Sequence, residues 1–593
     1  ADYLASHLAA SRSAGDLEIM HRRAARYFEL HGEKIEALQH AVEAGDDDLI
    51  VNIVRDSGGA GVFWVSRDFE TAQRAMDRLQ RKFPEKALRL LPVYTFFMGR
   101  SGRLEEARRN VGEGRRMLER LGDEISESER ETIRADLILI DATIALYTYE
   151  EENLEWLVSE LERIRYRGVS ADPVYLGIVH NMLGLVQFRM GEMQATAQLF
   201  EDAGGHYERA GSYWSVVYSS IHQSCVMLES GEAHEAATAV QRAYLLFRQH
   251  ARQDDALGEK VDVMAARLQY LAAASPKDLI AARQLLADAL PRIVANGEYW
   301  AELLIEAYRS KAALAYANYG LAGAMETLAH GIGLARSRGI ERLVQGLTGM
   351  QIRIASLAGD PALAERLAED IGADFDALNF APPGFGWQND AEIAFGLIRL
   401  DIARGDARQA LERIGRVERA ADGAGLHLTA LKCAVLRCLA LFEARQEAEA
   451  AAKLRQILPV LNNGYRAILL EEGALARQML DDAASRIARS VERDALLLAA
   501  VEMRSLAHAF MPPEVAAEPK APTGPAMEVL RRIAEGRRPK DIAPELEITV
   551  DGVNHHLKSM RKKMGVTSTP ALVAEAIRMG FLEDVALAPK YRD

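Results

Sequence analysis

The sequence predicts an all-α protein in which a long α-solenoid of stacked helical hairpins precedes a small domain of four short helices. Three observations support this fold class. A glycine with a helical pattern on each side of it recurs at intervals of about 40 residues. In residues 525–583, apolar side chains recur at the three- and four-residue spacing of helices rather than in the alternation of strands. The 593 residues are 49% apolar, which is ample for a large core.

The first predicted element is a helical junction at residues 1–45, made of a helix up to Leu30, a turn at Gly32 and a second helix from Glu36. The chain begins with Ala1 rather than Met, so we expect a fragment whose natural N-terminus is missing. The sequence contains no G-x-x-x-x-G-K-[ST] loop, and therefore lacks the backbone cradle and the lysine that ATP phosphates require. We expect no cofactor and no ATP hydrolysis in this fragment.

The second element, residues 46–510, continues the same repeat. Seven glycines occupy the predicted turns: Gly32, Gly102, Gly191, Gly231, Gly320, Gly359 and Gly405. Five of them are followed five positions later by alanine, whose small side chain lets helices approach closely. Repeats of this length indicate tetratricopeptide-like hairpins, slightly longer than the usual repeat of about 34 residues. We therefore predict one α-solenoid rather than several globular domains.

Three tryptophans recur near the start of the first helix of three predicted hairpins. Trp214, Trp300 and Trp387 lie 17, 20 and 18 residues before the following turn glycine. First helices line the concave surface of such arrays, and aromatic rings with a few polar neighbours suit a sugar or another small metabolite. We predict a groove that binds a small-molecule effector or a peptide through Trp214, Tyr218, Trp300, Glu306, Trp387 and Asn389. The alternative is that these tryptophans fill gaps between adjacent repeats.

The third element is a linker. Residues 511–524 are rich in proline and alanine and cannot form a regular helix, so we predict a semi-extended tether between the solenoid and the last domain. Residues 584–593 form a short tail after that domain.

The fourth element, residues 525–583, is built around one helix. Thr549 can cap the start of this helix, and Gly565 suits the left-handed residue that follows its last turn. One face of the helix is apolar and carries Val553, Leu557, Met560 and Met564. Two short helices precede it, at residues 526–535 and from Pro539, and a fourth begins at Thr569. This order is the helix-turn-helix pattern.

The opposite face of the central helix is polar and cationic. It carries Asn554, His555, Lys558, Arg561 and Lys562, which we predict to contact double-stranded DNA. Residues 526–565 contain nine Lys or Arg and six Asp or Glu, a local net charge of +3, whereas the whole chain has a net charge of −14. This contrast is typical of a small nucleic-acid-binding module attached to a body that DNA would repel. For any single charge, a merely solvated helix face is the alternative.

The C-terminal residues resemble the LuxR-type helix-turn-helix family. The matching residues are Glu528–Leu530, Ala534–Gly536, Lys540–Ala543, Val553, His555–Lys558, Lys562–Val566 and residues 571–582. The resemblance implies that Asn554, His555 and Lys558 reach base edges in the major groove. It also assigns the fourth helix, with Leu572, Val573, Ala576 and Ile577, to pairing of two modules in a homodimer on DNA; closing the module's core is the other role open to this helix.

Residues 20–46 resemble the junction that follows the ATPase and winged-helix parts of large MalT-like regulators. This second resemblance implies that any nucleotide site lies in the missing N-terminal part, that the protein activates transcription, and that RNA polymerase is a partner. Three features depart from the LuxR-type pattern: Asn554 stands where the family usually has Lys, Ala526 lies in an opening that lacks Leu-Thr-x-Arg-Glu, and Pro544 should kink or shorten the second helix.

Several function classes are disfavoured. The three cysteines are not spaced as in a disulfide framework or a metal site. We therefore predict that they are buried free thiols in a reducing cytoplasm. No apolar run approaches the roughly 20 residues needed to span a bilayer, and no catalytic motif appears, so we expect neither a membrane partner nor an enzyme. We predict a cytoplasmic transcription regulator whose solenoid senses an effector and controls the DNA-binding domain. The alternative is a protein-binding scaffold whose degenerate helix-turn-helix no longer binds DNA strongly.

Overall fold

The computed structural model is all-α, as predicted. It describes residues 12–64, 69–100, 103–148, 154–250, 255–295, 301–380, 387–486, 522, 524–563, 569–578 and 581–582, and every regular element in these ranges is a helix. The chain divides into two compact units, Ala1–Met511 and Pro512–Asp593. The predicted linker falls mostly outside the described residues, as does the tail.

The first unit starts with a helical hairpin that continues directly into the following helices. The turn at Gly32 separates α1 from α2, as predicted, and the Ser13 hydroxyl caps α1 by accepting from the Asp16 amide. Helix α2 packs on α5, and α3 packs on α6, so no break in packing separates the predicted junction from the solenoid. The helices up to residue 148 are α1 (Ala14–Leu30), α2 (Lys34–Glu43), α3 (Asp47–Asp56), α4 (Gly61–Trp64), α5 (Phe69–Lys82), α6 (Pro84–Arg100), α7 (Leu104–Leu121) and α8 (Glu127–Thr148).

The solenoid continues as hairpins in which neighbouring helices pack along their length. The next helices are α9 (Leu154–Arg167), α10 (Pro173–Met190), α11 (Met193–Arg209), α12 (Tyr213–Glu229), α13 (Ala233–His250), α14 (Asp255–Leu271) and α15 (Pro276–Ala295). The last are α16 (Ala301–Ser337), α17 (Glu341–Leu357), α18 (Pro361–Asp370), α19 (Trp387–Ala403), α20 (Ala407–Gly423), α21 (His427–Glu443), α22 (Glu447–Val460), α23 (Arg466–Leu470) and α24 (Gly473–Arg486). All three cysteines are buried free thiols, as predicted.

The predicted turn glycines that the structure describes lie between helical segments. Six of the seven are described, and all six have positive φ. Gly191 ends α10 with φ 81° and ψ 14°, while Gly320, with φ 68° and ψ −160°, breaks α16 into two helical segments. Gly102 lies outside the described residues. The repeat of helix, glycine turn and helix is therefore confirmed.

Residues 213–472 form a closed arrangement, in which helices from the two ends of the range contact each other. Helix α12 contacts α21, and α14 contacts α23, although about 200 residues separate the partners along the chain. At the closure, the Tyr465 hydroxyl donates to the Leu228 carbonyl at 3.1 Å, and the Thr429 hydroxyl faces the Glu229 carboxylate at 3.5 Å. We call residues 213–472 the closed array. The first helices of its successive hairpins are α12, α14, the first segment of α16, α17, α19 and α21.

The second unit is a four-helix domain with its own apolar core. Its helices are α25 (Pro525–Ala534), α26 (Pro539–Glu545), α27 (Val550–Lys563) and α28 (Thr569–Arg578). The Thr549 hydroxyl accepts from the Gly552 amide at 3.0 Å, which confirms the predicted cap, whereas Gly565 lies outside the described residues. Helix α26 has only seven residues and ends one position after Pro544, as expected for a proline that cannot donate an amide hydrogen bond.

Helix α28 buries most of its predicted apolar set and exposes part of it. Leu572, Val573 and Ala576 are 0% exposed and complete the core of the domain. Only Ile577 of the predicted apolar set is exposed, at 36%. The role of this helix in closing the core of the domain is therefore confirmed, because α25 and α27 pack against it, whereas pairing of two modules stays a prediction.

Candidate nucleic-acid interface and solenoid interior

A run of buried ion pairs crosses the first helices of the closed array. Arg267 on α14 contacts Glu306 on α16 at 3.1 Å, and Glu306 contacts Arg309 at 2.7 Å. Arg309 also pairs with Glu392 on α19, which pairs with Lys432 on α21 at 3.1 Å. None of these five side chains is more than 13% exposed. We call them the inner ion-pair array; the charges alternate in sign, so each buried charge has an opposite neighbour, as burial requires.

The cations control the ionisation of Glu392. Burial alone raises the pKa of a carboxyl, but the nearby Arg309, Lys432 and Arg353 outweigh burial and lower the pKa of Glu392 to about 2. Glu392 is therefore charged across the physiological pH range, and its charge stabilises the three cations around it.

Two predicted effector residues, Glu306 and Asn389, belong to this region. Asn389 lies one helical turn before Glu392 on α19 and is 1% exposed. Neither atom of its side-chain amide has a hydrogen-bond partner among the described residues, and the same holds for Arg309 Nε and Glu392 Oε2. Buried polar atoms are nearly always paired in proteins. This part of the solenoid therefore has unmet hydrogen-bonding capacity.

The predicted aromatic platforms occupy different environments. The half-buried Trp214 stacks on Tyr218, with ring centroids 5.2 Å apart and planes 12° from parallel. Trp387 begins α19 but is only 2% exposed, so its ring packs between helices rather than offering an open platform. Trp300 lies outside the described residues. Effector binding by these residues stays a prediction.

In the C-terminal domain, the packing of α27 fixes which of its faces is exposed. Val553, Leu557 and Met560 are at most 4% exposed and pack in a core shared with α25 and α26. Successive residues of this stripe are four and three positions apart, which is the spacing from which the sequence predicted an apolar helix face. Residues on the other side of α27 are therefore held outward by the core beneath them.

The outward face carries three of the five predicted DNA-binding side chains. Asn554, His555 and Lys558 are exposed. Arg561 differs from the prediction because it is half-buried and its Nε donates to the Leu557 carbonyl at 3.3 Å. The four N–H donors on its terminal nitrogens are not used in this bond, so contact of Arg561 with DNA stays a prediction. Lys562 belongs to α27, but its side chain lies outside the described residues.

The cations of the domain fall into two groups, which the sequence did not distinguish. Arg532 bridges Glu528 at 2.9 Å and Glu545 at 3.1 Å, and Arg537 contacts Glu545 at 3.4 Å. These arginines are neutralised within the domain and tie α25 to α26. The exposed cations with no ion pair in the described part of the chain are Arg531, Arg538, Lys540 and Lys558.

Comparison with known families identifies this domain. Residues 526–576 match the model of "Bacterial regulatory proteins, luxR family". The C-terminal domain belongs to the luxR family. The match includes all of α26 and α27, and therefore the exposed face with Asn554, His555 and Lys558. The luxR-type domain is thus a DNA-binding module by family as well as by its helix-turn-helix order.

Solved structures were also compared with the whole chain. A crystal structure of the apo form of RapI covers 71% of this chain and 98% of its own, with 12% identity and a TM-score of 0.26. The crystal structure of the APC/C hetero-tetramer Cut9-Hcn1 covers 84% of this chain and 98% of its own, with 12% identity and a TM-score of 0.40. A comparison with curated proteins finds no match. The tetratricopeptide-like assignment rests on the helical hairpins described above.

The described residues of the solenoid and of the luxR-type domain contain neither a metal-ligand cluster nor a membrane-spanning helix. Among the described residues, no three His, Cys, Asp or Glu side chains lie together as metal ligands would. Within the same ranges, no helix is both long enough and apolar enough to cross a membrane.

Proposed function

We propose that this chain is a DNA-binding transcription activator in which the solenoid binds an effector or a partner and thereby controls the luxR-type domain. The family of the C-terminal domain supports regulation of transcription. Control by the solenoid and the activating role come from the resemblance to large MalT-like regulators and go beyond that support. Such a regulator would act in the cytoplasm, and RNA polymerase would be its partner at promoters.

The observation that carries the DNA-binding role is the exposed row of Asn554, His555 and Lys558 on a helix whose other face is locked in a core. A helix presented in this way fits the major groove. There the Asn554 amide can form two hydrogen bonds with adenine, and Lys558 can reach a guanine edge or a phosphate. Arg538, at the N-cap of α26, and Lys540, in its first turn, are exposed and suited to phosphates.

The effector role is supported by the solenoid interior. Asn389, Arg309 and Glu392 hold buried polar atoms without a partner among the described residues, and a polar effector can supply those partners. The stacked Trp214 and Tyr218 supply an aromatic surface on α12. A small polar metabolite or a peptide satisfies both features.

Selection of bound sequences from random duplex DNA tests the DNA-binding role. The chain is incubated with the pool at low and at physiological salt, because phosphate contacts weaken steeply as salt rises. We expect an enriched motif that persists at the higher salt, and a two-site duplex that binds more tightly than a single site, as a homodimer requires. Absence of any enriched motif at low salt would refute the proposal.

The second candidate function is a protein-binding scaffold with a weakened helix-turn-helix. It is favoured by the internal pairing of Arg532 and Arg537, since carboxylates of the same domain neutralise two of its cations. The same selection separates the two functions, because a scaffold binds duplex DNA without preference for sequence.

Tryptophan fluorescence with a panel of sugars and other polar metabolites tests the effector role. We expect one compound to change the emission and to lose affinity in Trp300→Ala and Trp387→Ala proteins that remain folded. Trp156→Ala is the matched control, because Trp156 lies on α9, outside the closed array, and is 43% exposed. Unchanged affinity in both Trp300→Ala and Trp387→Ala would show that the predicted site is wrong.

A further inference from the structure

The closed array contains a segment of its own chain inside it. We call Leu461–Glu472 the closing segment. It leaves α22 through a π-type turn in which Asn463 and Gly464 depart from helical geometry, and Gly464 has φ 106°. Leu461, Tyr465 and Leu469 are 0% exposed. Its π-type turn packs on α13 and α14, and α23 packs on α14 and α21, so these helices cover the segment.

Two arginines on neighbouring first helices hold the end of this segment. Arg353 on α17 contacts Glu471 at 2.7 Å and Glu472 at 2.5 Å, and Arg399 on α19 contacts Glu472 at 3.1 Å. The Tyr270 hydroxyl on α14 donates to Glu471 at 2.8 Å. Three separate helices thus converge on two adjacent carboxylates, and the ionic side chains are at most 10% exposed.

The packing around Glu471 leaves a small cavity. A cavity of about 10 Å³ lies beside Glu471 and is also lined by Arg353 and Tyr316, among others. A space of this size can hold about one water molecule. Ordinary core contacts leave few such gaps, because interiors are packed as densely as organic crystals.

We propose that Arg353, Arg399 and Tyr270 form a binding site for a peptide segment with two adjacent carboxylates. The chain occupies this site in cis with Glu471 and Glu472. An acidic segment of a partner protein binds there only when the closing segment leaves, so the closing segment competes with the partner. The inference rests on the proposed function only where it concerns regulation of DNA binding. The contact of Glu471 and Glu472 with the two arginines can be measured without DNA.

Gly464 gives a way to displace the segment without altering the arginines. A Cβ at Gly464 would lie 2.6 Å from the Ala233 Cβ, which is too close for any real pair. Gly473, at the other end of the segment, also has positive φ (69°) but has no atom within 4 Å of its Cβ position. Gly473→Ala therefore places alanine in the left-handed region that L residues can reach, whereas Gly464→Ala adds both a more strained φ and the clash.

Hydrogen exchange of the amides of residues 466–470 is the first measurement. We expect about tenfold faster exchange in Gly464→Ala than in Gly473→Ala, because local opening governs exchange. Adding Ala233→Gly to Gly464→Ala removes the clashing Cβ and should restore slow exchange in part, since the strain at φ 106° remains. Equal exchange in the two single variants, or no restoration in the double variant, would contradict a segment held at this site.

Binding of a synthetic peptide of residues 459–474 is the second measurement. The peptide should bind the opened Gly464→Ala protein, and a peptide with Glu471→Gln and Glu472→Gln should bind about tenfold more weakly, since charged hydrogen bonds are lost. If neither peptide binds, or if both bind equally, the contact is a structural closure and not a site for adjacent carboxylates. Neither result bears on DNA binding, so failure here is distinct from failure of the proposed function.

A second pair of variants covers the case in which Gly464→Ala does not fold. Glu472→Gln keeps the shape of the side chain but removes the charge that Arg353 and Arg399 share. Glu365→Gln is its control, because the Glu365–Arg404 pair is more than 40% exposed. We expect faster exchange of residues 466–470 in Glu472→Gln alone; the same exchange in both would overturn the proposal.

Discussion

The luxR-type domain carries charged side chains on an exposed face, whereas the closed array carries charged side chains in its interior. In the luxR-type domain, Lys558 lies on an exposed face above an apolar core. In the closed array, Arg309 and Glu392 lie inside, where they contact each other and little water. A charge on an exposed face contributes to binding and little to stability, whereas a buried charge that loses its partner destabilises the fold. The two regions should therefore respond differently to removal of one charge.

The largest expected effect is loss of Glu392. Glu392→Ala leaves Arg309 and Lys432 buried without their shared carboxylate, and breaking a buried pair costs about 3–5 kcal/mol. Urea unfolding of the full chain, followed by circular dichroism, measures the loss. Glu365→Ala, at a surface pair, should change stability by less than about 1 kcal/mol. Similar losses in the two variants would remove the contrast between buried and exposed charge.

Next in size is a core substitution in the luxR-type domain. Leu557→Ala opens a cavity beneath α27 because Leu557 is 4% exposed, and such changes cost about 2–5 kcal/mol. Faster hydrogen exchange of the α25 and α27 amides measures the destabilisation. Ser559→Ala, two positions away on the partly exposed side, is the control and should leave exchange unchanged. An effect of Ser559→Ala equal to that of Leu557→Ala would mean that the apolar stripe does not hold the helix.

The difference between the two regions also explains what the sequence could predict. The stripe of Val553, Leu557 and Met560 repeats within one helix, so local spacing was enough to place the core and the exposed face. Glu392 pairs with Arg309 across 83 positions, and nothing in the spacing within either helix indicates the partner. The fold of the solenoid followed from its turn glycines, whereas its interior depends on which helices meet after closure.

A third effect depends on pH. Asp136 is buried beside the turn before α4, where it accepts from the Ala60 amide at 2.8 Å, and burial raises its pKa to about 7. A carboxyl that is easier to protonate in the folded state stabilises the fold most below its unfolded pKa of about 4. Its contribution falls by about 1.4 kcal/mol per pH unit up to pH 7 and is lost above that. Asp136→Asn remains neutral, so its stability relative to the parent should rise between pH 5 and pH 7. A constant difference over this range would contradict the raised pKa.

Lys558→Ala should separate binding from stability. The side chain is exposed and has no ion pair in the described ranges, so unfolding should be unchanged. Specific binding should weaken by about 1–3 kcal/mol if Lys558 reads a base. If it contacts only phosphate, binding should weaken evenly across sequences and the salt slope should fall by about one. Titration of the selected duplex and of a scrambled one at several salt concentrations distinguishes the two. Binding equal to that of the parent on every duplex would exclude Lys558 from the interface.

The smallest expected effect lies on the surface of the same domain. Arg537 contacts Glu545 at 3.4 Å, and their side chains are 55% and 34% exposed. Solvent screens such a pair, so Arg537→Ala should change the free energy of unfolding by about 0–1 kcal/mol, and the change should vanish at high salt. Glu545 keeps its contact with Arg532 at 3.1 Å, so no carboxylate is left without a cation. Hydrogen exchange of α25 at low and high salt measures the change, with Lys558→Ala as a control that breaks no ion pair. A loss as large as that in Glu392→Ala would show that surface pairs hold this domain as firmly as buried pairs hold the closed array.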